Sequence, residues 1–80
     1  MSNMSASETA KEINQLFRSN KGDVVTLKNE RLKELYGGSK YPREEARTKI
    51  QEELKSEYHL HIFYMDRVAV VTRDEDFAPA

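Results

Sequence analysis

The sequence predicts an α+β domain: three helices followed by a C-terminal β-hairpin. Three observations carry that reading. Over residues 42–58, Ala46, Ile50, Leu54 and Tyr58 recur every four positions, which makes one apolar stripe on an amphipathic helix. Immediately after it, residues 59–65 and 67–72 are rich in strand formers, with Asp66 marking a turn between them. Upstream lie two shorter helical patterns, parted by the break Asn20-Lys21-Gly22-Asp23 and a brief extended segment at Val24-Val25.

Taken in order, the first helix is expected to be capped by Ser7 and to run to about Ser19. Ala10, Ile13, Leu16 and Phe17 form its apolar face. Val24-Val25 reads as a very short edge strand. Thr26 or Asn29 caps the second helix, whose apolar residues are Leu32, Leu35 and Tyr36. Gly37 ends it, because glycine accepts the left-handed conformation that follows a helix. Pro42 suits the first position of the third helix, where a missing N–H costs nothing, and Glu44 and Glu45 complement the helix dipole. In the hairpin, Leu60, Ile62 and Tyr64 are expected to face inward, and His59, His61, Phe63 and Met65 outward. No glycine stands at the turn, so an ideal two-residue primed turn is not specified.

Eighty residues allow one domain, 1–80, with a small core expected over 7–73, a loose start at 1–6 and an acidic tail at 74–80 in which Phe77 is a candidate for docking. The chain has no cysteine, which removes disulfides and thiolate metal sites. No apolar run approaches the roughly 18 residues needed to span a bilayer, and the first residues lack the pattern of a secretory signal. A cytoplasmic location is the expectation, with no membrane partner. No glycine-rich phosphate loop, nucleophile motif or cofactor fingerprint is present, so neither an enzyme nor a cofactor is expected. His59 and His61 stand two apart on an expected strand and would share a face, but no third ligand is evident, and no metal is expected.

The net charge of −1 conceals an asymmetry. Between Arg18 and Lys49 the chain carries nine Lys/Arg against five Asp/Glu, a surplus of four positive charges balanced by acidic ends. A basic middle of this kind can present a positive face to an anionic partner.

The order helix, short strand, helix, turn, helix, strand, strand resembles a winged helix-turn-helix domain over nearly the whole chain. The segment Arg43-Glu44-Glu45-Ala46-Arg47-Thr48-Lys49-Ile50-Gln51-Glu52 is similar to the recognition helices of bacterial winged-helix regulators, with Arg43, Ala46, Arg47 and Ile50 in matching places. The resemblance implies a small transcriptional regulator that binds double-stranded DNA as a homodimer. Arg43, Arg47, Thr48 and Gln51 would face the major groove, and Lys21, Lys28, Lys40 and Arg67 would contact phosphates. Glu45 and Glu52 would then face away. The first helix and the outer hairpin strand are the expected dimer surfaces. The sequence departs from the pattern in a longer turn before the third helix, in the acids within that helix, and in a short wing with one basic residue. The alternative is a protein-interaction module on the same scaffold, a small inhibitor or adaptor, contacting a partner through Phe63 and Met65 or through the acidic tail.

Overall fold

The computed structural model describes residues 5–38 and 40–73; the expected loose start, the acidic tail and the docking of Phe77 lie outside the described residues. Three helices and three strands follow in the order α1 (Ala6–Ser19), β1 (Val24–Lys28), α2 (Asn29–Leu35), α3 (Glu44–Tyr58), β2 (Leu60–Tyr64) and β3 (Val68–Arg73). The strands make one antiparallel sheet in the order β1-β3-β2. The class is α+β.

Local chemistry fixes the helix ends. Ser5, not Ser7, caps α1: its hydroxyl accepts from the Glu8 amide at 3.1 Å while the Glu8 carboxylate reaches back to the Ser5 amide, a reciprocal capping box. Ser7 loses the position because only Ser5 has a glutamate three residues on. Helix α2 closes as the sequence predicts. The Gly38 amide donates to the Lys33 carbonyl at 2.9 Å and the Gly37 amide to the Glu34 carbonyl at 3.1 Å, with φ of 112° at Gly37 and 87° at Gly38. Helix α3 begins at Glu44, two residues later than Pro42 suggests. Arg43 is the cap, without a side-chain cap bond, and the Pro42 ring is buried ahead of the helix instead of forming its first turn.

At the other end of α3, His59 adopts the left-handed conformation with φ 56°. One such residue turns the chain from helix into strand, and histidine is among the types that tolerate it. His59 therefore stands outside β2 and does not share a strand face with His61; no group of three potential metal ligands occurs among the described residues.

Strand β1 is longer than Val24-Val25 and absorbs Thr26, so Thr26 caps nothing. Its pairing with β3 explains the extension: Val24 to Lys28 are matched one by one with Thr72 to Val68. The sheet's inner face contributes Leu27, Leu60, Ile62, Ala69 and Val71, which pack with Ala10, Ile13 and Phe17 of α1, Leu32 of α2, and Ile50 and Leu54 of α3. Leu60 and Ile62 face inward as expected, and Tyr64 is half-buried.

The hairpin turn is Asp66-Arg67, closed by the Met65 amide donating to the Val68 carbonyl at 2.8 Å. Neither turn residue has positive φ, so the turn is not of the primed type that best matches strand twist. It is held from outside. The Asn29 carboxamide donates to the Asp66 carbonyl at 2.8 Å, and the Asn29 amide to the Arg67 carbonyl at 3.2 Å. The first residue of α2 thus clamps the turn.

Candidate nucleic-acid interface

Helix α3 and strand β2 run back along one another, and a hydrogen bond joins them at the far end. The Tyr64 hydroxyl donates to the Arg47 carbonyl at 3.2 Å. Burial holds the Tyr64 phenol well above the ordinary tyrosine range, with Tyr41 adding to the shift and Arg47 opposing it. The phenol therefore remains a donor at any working pH. The Arg47 guanidinium lies 5.6 Å from the Tyr41 ring centre and 5.7 Å from that of Tyr64, within cation–π range of both.

That arrangement decides which way α3 faces. Arg47 and Gln51 are half-buried and, with Glu44, Thr48, Tyr64, Met65 and Asp66, line a cleft of about 320 Å³ between the helix and the hairpin turn. The outward ridge carries Glu45, Thr48, Lys49, Glu52 and Lys55, all exposed. The expectation that Arg47 and Gln51 point outward while Glu45 and Glu52 turn away is corrected: the helix is rotated from that view. The apolar stripe alone cannot fix the rotation, because Tyr41 and Tyr64 recruit Arg47 to the buried side. Thr48 is exposed as expected, and its hydroxyl donates to the Glu44 carbonyl at 3.0 Å.

A second cleft, of about 630 Å³, opens on the other side of α3. Lys40, Arg43 and Lys49 line it together with Tyr36, Tyr41 and Glu45. None of these three cations has an ion-pair partner among the described residues. Lys49 was not among the sequence-predicted contacts; its i,i+4 spacing from Glu45 and to Glu53 makes it look like ordinary solvated surface.

Lys28 and Arg67 come together beside Asn29, Glu30 and Val68, at the clamped turn. Lys21 does not join them. It precedes Val24, whose partner is Thr72, whereas Lys28 is opposite Val68, so the whole of β1 separates Lys21 from Lys28. At the Lys21 end of the sheet, the Arg73 guanidinium pairs with the Asp23 carboxylate at 2.7 Å. Of the eight expected contact residues, Arg43 and Lys40 share one cleft, Arg47, Thr48 and Gln51 another, Lys28 and Arg67 a third patch, and Lys21 lies apart.

Comparison with protein-family models, curated proteins and solved structures gives no match. The function rests on the geometry.

Replacing Tyr64 by phenylalanine removes the donor to the Arg47 carbonyl while keeping the ring. The expected loss is about 0.5–1.5 kcal/mol of stability, read by urea unfolding at neutral pH. Because the folded phenol's pKa is raised, the stabilisation is complete below the ordinary tyrosine value of 10.0 and declines as pH rises above it. The deficit of the variant against the parent should therefore narrow in alkaline solution, and a deficit that widened there would reject this role.

Proposed function

We propose that the protein is a small double-stranded-DNA-binding regulator of the winged-helix type. The observation that carries this reading is the placement of the first turns of α3 against the turn of the β2–β3 hairpin, with exposed Lys28, Lys40, Arg43, Lys49 and Arg67 distributed around that end of the fold. The element order and the sheet order β1-β3-β2 support the same reading. In it, Thr48 and Lys49 present to base edges from the outward ridge, Arg43 flanks them, and Lys28, Lys40 and Arg67 contact phosphates. Arg47 acts as a positioning residue, tying the loop before α3 to the hairpin. Two copies reading two half-sites would supply the specificity that one short helix lacks.

One observation favours a second reading, a module that binds a protein. Glu45 and Glu52 share the outward ridge of α3 with its lysines, and anionic side chains there oppose phosphate.

A selection from randomised duplex DNA at low salt, followed by a salt titration of the retained sequences, separates the two. The DNA reading expects an enriched motif and an affinity that falls linearly with the logarithm of salt concentration. No retention of any duplex, random or genomic, would reject it in favour of a protein partner.

A further inference from the structure

The structure assigns a homodimer interface to the free edge of β1, where a second copy's β1 pairs antiparallel about a two-fold axis through Thr26. The direction of the strand's polar groups follows from one bond. The Asn29 amide donates to the Arg67 carbonyl directly opposite, so the odd-numbered positions of β1 turn their amides and carbonyls toward β3. Val24, Thr26 and Lys28 then turn theirs away from it. Among the described residues no strand lies on that side; the Asn20 carboxamide reaches the Val24 carbonyl at 3.4 Å, and the Lys28 carbonyl, as the N-cap of α2, accepts that helix's first bond.

A free edge invites another strand unless something blocks it, such as proline, a bulge, an inward charge, a lysine or extreme shortness. Val24-Val25-Thr26-Leu27-Lys28 has no proline and no bulge, and its one lysine stands at the end, clear of the strand's centre. Its register with β3 runs without interruption.

The strand also complements itself. Centred on Thr26, antiparallel pairing sets Thr26 opposite Thr26 of the second copy and Val24 opposite Lys28 of the second copy, in both directions. The outward amides of Thr26 and Lys28, with the carbonyls of Val24 and Thr26, give about four intermolecular main-chain hydrogen bonds, because the Lys28 carbonyl is taken by the first turn of α2. Lys28 of the second copy covers Val24, which is 52% exposed, with its aliphatic stem, while its ammonium lies next to Asp23. The two Lys28 side chains stand at opposite ends of the interface and do not repel. On the inner face, half-buried Val25 meets Leu27 of the second copy. The groove there, about 350 Å³ and lined by Leu16, Ser19, Val25, Leu27 and Arg31, is closed from both sides. Arg31 brings no uncompensated charge to it, since Glu34 pairs with it at 3.1 Å.

The expected dimer surfaces from the sequence were α1 and the outer hairpin strand. The edge of β1 is assigned in their place, because there outward main-chain groups, a groove with an apolar floor and complementary ends coincide. This inference does not rest on DNA binding, and it is measured without nucleic acid.

Sedimentation equilibrium of the full chain from low to high micromolar concentration is expected to show a monomer–dimer equilibrium. Thr26→Lys places two ammonium groups face to face across the axis and should weaken the dimer by about tenfold or more, with an unchanged circular dichroism spectrum, since Thr26 is exposed. The chain has no cysteine, so Thr26→Cys offers a direct probe: opposed Cα atoms in a hydrogen-bonded pair lie about 5.5 Å apart, within disulfide reach. Mild oxidation should give covalent dimers from Thr26→Cys and not from Ser56→Cys on exposed α3. In the parent, the Thr26 amide should exchange slowly at high protein concentration and quickly on dilution, and the Leu27 amide slowly in both. A monomer throughout the concentration range, or a dimer indifferent to Thr26→Lys, would overturn the assignment. A Thr26 amide that exchanges quickly in a demonstrated dimer would do the same.

Discussion

Leu54→Ala should cost about 2–5 kcal/mol of folding stability, and Ile50→Ala a similar amount. Both side chains are fully buried, on the one stripe by which α3 meets α1 and the sheet. The removed atoms leave a cavity that rigid neighbours on three elements cannot close. An 80-residue domain has only about 4–12 kcal/mol in total at ordinary per-residue values, so either change consumes much of the margin. In a thermal melt this corresponds to a loss on the order of 10 °C or more. Leu16→Ala, at a half-buried position of α1, provides the contrast and should cost less. Melting temperatures of Leu54→Ala and Ile50→Ala within a degree of the parent would mean that α3 does not pack as described.

The same stripe explains what was legible in the sequence. Ile50 and Leu54, and Leu60 and Ile62, declare their inward faces through local periodicity, because burial of alternate or fourth residues is a one-dimensional signal. Gly37 declares the end of α2 through its conformational freedom. What stayed hidden depends on partners distant in sequence. The extension of β1 through Lys28 requires β3, some forty residues later, to supply its hydrogen bonds. The clamp of Asn29 on the Asp66-Arg67 turn likewise joins two elements that no local rule connects. Arg47 is the clearest case for the site. As a letter it is a cation near the start of a polar helix flank, and only the rings of Tyr41 and Tyr64 reveal that it is held inside. The rotation of α3 follows from that packing, and with it the reassignment of Glu45, Thr48, Lys49 and Glu52 to the outward ridge.

That reassignment makes the effect of charge on α3 the sharpest test of the DNA reading. Glu45 and Glu52 flank Thr48 and Lys49 on the ridge that would enter the major groove, where each carboxylate faces a field of phosphates. Glu45→Gln/Glu52→Gln should therefore tighten binding to duplex DNA at low salt by about tenfold, since each neutralised acid removes a repulsion of roughly the size of one surface charge interaction. Arg43→Ala/Lys49→Ala should act in the opposite sense and lower the salt slope by about one for each phosphate that is no longer neutralised. If Lys49 reads a base, its removal should also flatten the preference at one position of the selected motif. Arg47→Ala is expected to behave differently from both. It should lower the melting temperature, because the guanidinium no longer bridges two rings, while the folded fraction keeps most of its affinity. Fluorescence anisotropy with a labelled duplex, read over a salt series and normalised to the folded fraction, measures all three. Tightening by the glutamine pair together with weakening by the alanine pair fixes α3's outward ridge as the contact surface. Equal affinities for parent and both pairs would place any DNA contact elsewhere on the fold, and weakening by the glutamine pair would show that Glu45 and Glu52 do not face phosphates in the complex, against the placement of α3's outward ridge in the groove.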